Sequence, residues 1–517
     1  MNSNPYTQKN VRLGAMHYLM GRGAAGLAGF LVVLLLVRYM DVGNYAAYTA
    51  LSGLVALCGI LSGLGMERVV SRYVPEGRLY HSVAELSRFI WITSAVRLLA
   101  ALLVTLLLAI FWPAIDRFLA VAKFQNISAA LVCFIIAETM FQHFSSVLQS
   151  LVMQKTLTQL LVIQWAGRLL LIIGFVAVQS SIGWEDSLWI FAIPELIGVL
   201  GFVIVIQRHL ADLSRQGGHV PEKHDWPAWG SVAETGLHNY GFTLLAAPPQ
   251  GYFMKLLTSA YLPVEIVAAY GFFISIAEKV RQYIPLHFFY GLLEPMMIAS
   301  YLKDRNFASL SQHCQLLYKS NLLLMVPAIA WVAVAGDPVV GMMTGGKFQG
   351  LSWILVLVMV QLTIGSHVVL LQLILNSLEK SRLLIKAGTV ALPVMLVVMA
   401  MAIKLSPIWL LSAPVAFSLC MNLYIVAQLA AAKYPYRPSW RMLGGVTFSG
   451  LLAFLTMELF AFAVPFESPR IAAATVALIG VTAVYGVMLW LSRSIAPSEI
   501  EFIKNIIFNI RQSKAGA

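Results

Sequence analysis

The chain has 517 residues, of which 59% are hydrophobic and only 11% charged, with a mean hydropathy of +0.80. Soluble globular domains carry about 25% charged residues, so an ordinary soluble enzyme is excluded and a polytopic membrane protein is indicated. The net charge of +12 comes from Lys and Arg clustered between long apolar runs, which is a positive-inside pattern and not a nucleic-acid-binding face.

Apolar runs able to cross roughly 30 Å of hydrocarbon lie near residues 13–37, 44–65, 89–112, 128–152, 157–179 and 187–207. The first run lacks a small-residue cleavage pattern and is expected to stay in the membrane. Beyond the polar stretch 208–229, runs recur near 232–258, 266–292, 316–336, 351–376, 383–404 and 408–431. Two more, near 443–464 and 471–492, give an all-α protein of about fourteen spans. The predicted organisation is an N-lobe at 1–209, a cytoplasmic linker at 210–228, a C-lobe at 229–432, two further spans within 433–494, and a C-terminal segment at 495–517. In that last segment Ser498 and Glu501 form a capping box ahead of Phe502, Ile503, Ile506, Ile507 and Ile510. An amphipathic helix is expected there, lying either in the membrane interface or on the cytoplasmic ends of the bundle.

An even number of spans puts both termini on one side. With that side cytoplasmic, roughly 22 of the 35 Lys and Arg fall in cytoplasmic loops and tails and roughly seven outside. The four cysteines, Cys58, Cys133, Cys314 and Cys420, are far apart in or beside apolar segments and read as reduced packing residues. Gly341 to Lys347 matches GxxxxGK, but Phe348 stands where a Ser or Thr would hold magnesium and no strand precedes it, so a Gly-rich turn is predicted.

The halves look like repeats. Ala46-Ala47-Tyr48 before the second span reappears as Ala268-Ala269-Tyr270 before the eighth, and Lys155 after the fourth is matched by Lys380 after the tenth. Arg72-Tyr73-Val74-Pro75-Glu76 and Ser300-Tyr301-Leu302-Lys303-Asp304 then read as charged cytoplasmic loops. Six spans per half make the repeats parallel, a pairing that encloses a central cavity. In the fourth span Glu138, Gln142, Ser145 and Gln149 share one helical face, and the tenth answers with Gln361, Gly365, Gln372 and Asn376. Such stripes fit a hydrated lumen, or interhelical hydrogen bonding in a dry bundle.

Charges inside spans are costly and therefore informative. The cations are Arg22, Arg97, Arg168, Lys255, Lys279 and Arg281, and the acids Glu138, Glu195, Glu278, Glu294 and Glu458. Each cation reads equally as a lumen ligand or as half of a structural ion pair, and Arg97 and Lys279 also suit snorkelling to an interface. Glu278 and Arg281 are spaced to neutralise each other. The arginine fork suits phosphate, so the set favours an anionic, phosphate- or pyrophosphate-bearing substrate. Pro248-Pro249 is predicted to break the seventh span, a natural place for a gate.

The 6+6+2 arrangement, with Val42-Gly43-Asn44-Tyr45, Leu64-Gly65-Met66-Glu67-Arg68, Arg72-Tyr73, Ala269-Tyr270 and Pro327, resembles the polysaccharide-transport, Wzx-type branch of the multidrug/oligosaccharidyl-lipid/polysaccharide (MOP) exporter superfamily. The resemblance covers nearly the whole chain and its motifs are diffuse. It implies a V-shaped pair of six-helix lobes in a bacterial inner membrane, moving an undecaprenyl-diphosphate-linked oligosaccharide to the periplasmic leaflet by alternating access. Such a protein serves exopolysaccharide, capsule or O-antigen synthesis, is not an enzyme, and works beside membrane lipids and polymerase or export machinery. No cofactor is implied beyond proton or sodium coupling.

By span, Arg22 corresponds to a lumen arginine of related lipid II flippases and the last two spans to a groove for the lipid tail. The family's acidic residue at the end of the seventh span is replaced here by Lys255. The expected substrate ligands are Arg22, Arg168, Lys255 and Arg281 for the diphosphate, with Gln142, Gln149, Gln361, Gln372 and Asn376 for sugar hydroxyls. Glu138 or Glu278 is the expected coupling acid. A cation-coupled multidrug antiporter is the alternative, and an integral-membrane glycan polymerase is disfavoured by the lack of a large extracytoplasmic loop.

Overall fold

The structure, a computed structural model, describes residues 8–122, 124, 126–215, 226–288, 297–298, 301, 303–436, 440–463 and 470–492, without the side chains of 8–20, 22, 242, 440–441, 462–463 and 470–471. The predicted C-terminal amphipathic helix and Glu294 lie outside the described residues. The first helices are α1 (Gln8–Tyr39), α2 (Val42–Leu61), α3 (Met66–Tyr80), α4 (Val83–Ile110), α5 (Trp112–Leu119), α6 (Ala129–Ser150), α7 (Gln154–Gln179) and α8 (Trp184–Arg215). They are followed by α9 (Trp229–Ala246), α10 (Gly251–Tyr261), α11 (Val264–Arg281), α12 (Phe307–Thr344), α13 (Ser352–Ser377) and α14 (Arg382–Leu405). A 3₁₀ turn (Pro407–Ser412), α15 (Ala413–Ala431), α16 (Trp440–Ala463) and α17 (Arg470–Leu491) complete the series.

Eleven helices among the described residues are long and apolar enough to cross a membrane. The three other expected spans are α1, whose apolar part is Gly23–Tyr39, the broken pair α9 and α10, and the charge-bearing α11. The break at Ala247–Gln250 falls on Pro248-Pro249, because proline removes a backbone donor and clashes with the preceding turn. Leucines such as Leu99, Leu103 and Leu106 of α4 are more than half exposed. A band of that kind is stable only against lipid.

The chain folds as two compact units, Met1–Lys279 with Ala402–Leu411, and Val280–Met401 with Ser412–Ala517. The boundary between the units falls inside α11.

In the first unit the pairs α6–α8, α1–α7, α2–α10 and α4–α6 pack along each other. The segment expected as a charged loop after the second span is the helix α3. Its Val69, Val70, Tyr73 and Val74 are buried, while Glu67, Arg68, Ser71 and Arg72 are exposed. Burial of that apolar face outweighs the cost of Pro75 within the helix. Arg78 donates to the Leu151 carbonyl and so ties α3 to the end of α6. Helix α4 starts with a capping box, Ser82 accepting from the Glu85 amide and Glu85 from the Ser82 amide. Between α2 and α3 the chain turns through Gly65 at φ +68°, where a Cβ would strike the Gly236 carbonyl of α9. The Tyr240 hydroxyl donates to the Leu61 carbonyl at 2.8 Å and Tyr73 meets Thr235 at 3.2 Å, so α9 is docked along α2 and α3.

The repeated tripeptides are both interior: Ala46, Ala47, Ala268 and Ala269 are at most 1% exposed. Their helices meet where Thr49 of α2 rests against Gly271 of α11, a contact that a Cβ would abolish.

In the second unit the long α12, which runs unbroken through Pro327 and Pro338, packs on α13, α16 and α17. Trp331 donates to the Ala474 carbonyl at 3.0 Å. Helix α12 ends on Gly345 at φ +68°, followed by Gly346 at φ +89°, so the GxxxxGK stretch is a helix end and a glycine turn.

Candidate functional site

The polar stripe of α6 lies along its less buried side. Glu138, Gln142 and Ser145 are half-buried and Gln149 is exposed, whereas Phe141, Phe144, Val147 and Leu148 between them are buried. Gln142 Nε2 donates to Glu138 Oε1 at 2.6 Å, holding the carboxyl along the stripe. At the Gln149 end there is a cavity of about 510 Å³, lined by Glu67, Arg68 and Ser71 of α3 and by Ser146, Gln149 and Ser150 of α6. The α3 helix that sequence reading missed supplies half of these groups.

Several expected residues converge in the first unit, joined by Glu195 and Lys279, which sequence reading places among the in-span charges but not among the expected ligands or coupling acids. Arg168 of α7 forms an ion pair with Glu195 of α8, both side chains being at most 5% exposed. Gln164 Nε2, one turn earlier, lies 3.4 Å from the same carboxylate oxygen. The guanidinium also sits 4.2 Å above the Trp165 ring and 4.4 Å above the Phe191 ring, positions that favour a cation. Gly167 lets α7 approach Pro194 beside Glu195. Of the two readings of Arg168, the geometry therefore realises the ion pair.

Lys279 of α11 approaches Trp165 with Nζ 4.1 Å from its ring centroid. Gly29 of α1 packs onto the same place: a Cβ there would stand 3.1 Å from Lys279 Cε and 3.2 Å from both Nζ and the Trp165 ring. Lys279 is thus held between α1 and α7 and does not snorkel to an interface. Arg22 lies seven residues before Gly29 in α1, and its side chain is outside the described residues.

Lys255 of α10 donates to Ser275 Oγ at 3.3 Å. Glu278 acts electrostatically on both Lys255 and Lys279, and its carboxylate lies beside Gly251, the first residue of α10. The proline break creates a helix N-terminus at that point, where negative charge is favoured. Arg281 ends α11 and is exposed. Among the described side chains three cations, Arg168, Lys255 and Lys279, thus accompany three carboxyls, Glu138, Glu195 and Glu278.

Arg97, 2% exposed, donates to the Gly59 carbonyl at 3.0 Å. It serves the C-terminal end of α2, where a cation is stabilising, and does not reach an interface.

In the second unit Gln361, Gly365, Gln372 and Asn376 form a half-buried line on α13. On the neighbouring face His367 is held between Asn422 at 2.9 Å and Tyr436 at 3.0 Å. Asn422 donates to the Ile364 carbonyl, so its oxygen is the atom left for the imidazole.

The sequence model of a family described as polysaccharide biosynthesis protein matches residues 12–285. Among solved structures, the lipid II flippase MurJ in an inward closed conformation is similar with a TM-score of 0.68 and 13% identity, covering 92% of this chain and 98% of that one. An inward-facing multidrug resistance MATE family transporter of the MOP superfamily gives 0.53 at 10% identity, covering 86% and 99%. The Vibrio cholerae MATE transporter VcmN gives 0.50 at 13% identity, covering 83% and 98%. Comparison with curated protein sequences returned no match. At these identities the structural likeness is one of fold: the helices are arranged as in MOP transporters.

Proposed function

We propose that this chain, which belongs to the polysaccharide biosynthesis protein family, is a flippase carrying a polyprenyl-diphosphate-linked oligosaccharide across the bacterial inner membrane. It is a multi-pass membrane transporter of the MOP fold and not an enzyme. In this reading both termini are cytoplasmic, and the lobes at 1–209 and 229–432 alternate between inward- and outward-open states. The two spans within 433–494 accompany the lipid tail, and polymerase or export machinery receives the glycan.

The observation that carries the proposal is the cluster around Trp165, where the Lys279 amine lies over the indole ring and forms no ion pair with a carboxylate among the described residues. Lys279, Lys255 and Arg22 hold the diphosphate, and Arg281 meets it at the end of α11. Arg168 positions Trp165 and Glu195 in the inactive arrangement and is a further ligand when the pair opens. Gln142 and Gln149, with Gln361, Gln372 and Asn376 of the other half, accept sugar hydroxyls. Glu138 and Glu278 are the coupling acids. These same carboxyls favour a second reading, a cation-coupled antiporter.

Trp165 supplies the test. A short-chain polyprenyl-diphosphate oligosaccharide added to the purified protein is expected to draw Lys279 from the indole face and change Trp165 fluorescence, with Trp165→Phe removing the signal. A saturating response to a cationic dye and none to the diphosphate lipid would favour the antiporter.

A further inference from the structure

At one end of the second unit basic side chains collect around Tyr434. Helix α13 ends and α14 begins there, and both α13 and α15 stop on a residue in the left-handed region, Glu379 at φ +58° and Lys433 at φ +63°. In each turn the next amide reaches back five residues, Lys380 N to the Leu375 carbonyl at 2.8 Å and Tyr434 N to the Leu429 carbonyl at 2.9 Å. The two turns meet, with Lys380 Nζ 4.5 Å from the Tyr434 ring centroid. Phe307, at the start of α12, packs edge-on against the same ring at 5.2 Å. Buried Tyr436 bonds His367 of α13 at 3.0 Å, so the backbone carrying Lys433 and Tyr434 is rooted in the core of the unit.

Lys303, Arg305, Lys380, Arg382, Lys386 and Lys433 lie at this end, and the described acids among them are Asp304 and Glu379. Five of the six cations are exposed and Lys380 is half-buried. None of them forms an ion pair among the described residues. Cations gathered on rigid turns repel one another, and an anion from outside the chain relieves that repulsion. The medium beside them is lipid. Arg382 and Lys386 open α14 on the same face as Val390, Val397 and Met401, which are 42%, 58% and 55% exposed. That apolar stripe suits hydrocarbon, which puts the two cations at headgroup height and Tyr434 at the aromatic level of the boundary.

We propose that this patch is a binding site for an anionic phospholipid, whose phosphate meets Arg382 and Lys386 while its acyl chains follow the exposed face of α14. The guanidinium offers a fork to two phosphate oxygens and the ammonium a point charge one turn away. A zwitterionic headgroup brings its own cation into the same field and is the poorer ligand. An acidic protein segment would match the charge but would make no use of the apolar stripe below it. Bound lipid neutralises the turns that join α12, α13 and α15 and so stabilises the second unit by mass action. The site shares no residue with the Trp165 cluster, and the inference does not depend on the transport reading.

The test is lipid binding to the delipidated, purified full-length protein in dodecyl maltoside micelles, with bound phosphatidylglycerol or phosphatidylcholine counted by native mass spectrometry. Phosphatidylglycerol is expected to bind more tightly and to raise the unfolding temperature. The double variant Arg382→Gln, Lys386→Gln should lose about thirtyfold in affinity for it, the factor expected for two cations at a membrane surface. Its unfolding temperature with phosphatidylcholine should match the parent. If the double variant does not fold, Lys386→Gln alone is expected to show a smaller loss in the same direction. Lys404→Gln, exposed at the other end of α14, should leave binding unchanged, and inorganic phosphate should not displace the lipid. Equal binding of the two lipids, or an equal loss in Lys404→Gln, overturns the proposal. Displacement by inorganic phosphate would reduce the patch to a free-anion site, and displacement by an equal concentration of polyprenyl diphosphate would give it to a different lipid; either result contradicts the assignment.

Discussion

Glu195→Leu is expected to lower the stability of the purified protein by about 3–5 kcal/mol, the usual consequence of stranding one partner of a buried ion pair. Arg168 is 4% exposed and cannot rotate to water, and its Nε already lacks a partner. Once Glu195 is gone, no other carboxylate among the described residues is bonded to the guanidinium, and the close contact of Phe141 on Gly198 holds α6 and α8 in place around it. The measurement is detergent-solubilised thermal or denaturant unfolding followed by tryptophan fluorescence. The double variant Arg168→Leu, Glu195→Leu removes both charges and is expected to recover most of the loss, because well-packed apolar groups replace buried pairs at little cost. A single variant as stable as the parent would mean that the pair is not buried in the membrane-embedded protein.

Lys279→Gln is expected to weaken diphosphate binding about ten- to a hundredfold, corresponding to the roughly 1.5–3 kcal/mol of a charge-assisted hydrogen bond. The fold should tolerate this change, since glutamine retains the stem that fills the space between Gly29 and Trp165. Affinity measured against salt should also lose part of its slope, while binding of a neutral lipid-linked sugar stays the same. A binding curve indistinguishable from the parent would remove Lys279 from the site and shift the role to Arg22 and Lys255.

How much of this was readable beforehand depended on the range of the signal. The spans were legible because hydrocarbon thickness imposes length and composition on each segment separately. The α6 stripe was legible because Glu138, Gln142, Ser145 and Gln149 follow helical spacing, and the proline break because Pro248-Pro249 acts locally. Helix α3 was not foreseen: its charges masked an apolar face, although Val69, Val70, Tyr73 and Val74 already carried the period. The short α5 escaped notice for want of length. Its position is fixed by tertiary bonds, with Trp112 donating to Phe124 O and Phe124 N to Asp116.

The cluster itself was only half visible. Glu195 sits in a helix that is apolar on all sides, so no period marks its face, and its bond to Arg168 spans 27 residues. Lys279 lies one position from Glu278 and two from Arg281, and only packing against Gly29 and Trp165 separates its role from theirs. Local spacing could list the charges, but the partnerships that neutralise Arg168 and leave Lys279 available arise from helix contacts that no single segment encodes.

The central claim is best tested by leaflet-resolved flipping of a polyprenyl-diphosphate-linked oligosaccharide in liposomes containing the purified protein, with and without a proton gradient. Translocation well above protein-free liposomes, responsive to the gradient and reduced in Lys279→Gln, is the predicted result. No translocation of any diphosphate-linked glycan, together with uphill export of a cationic dye, would contradict it.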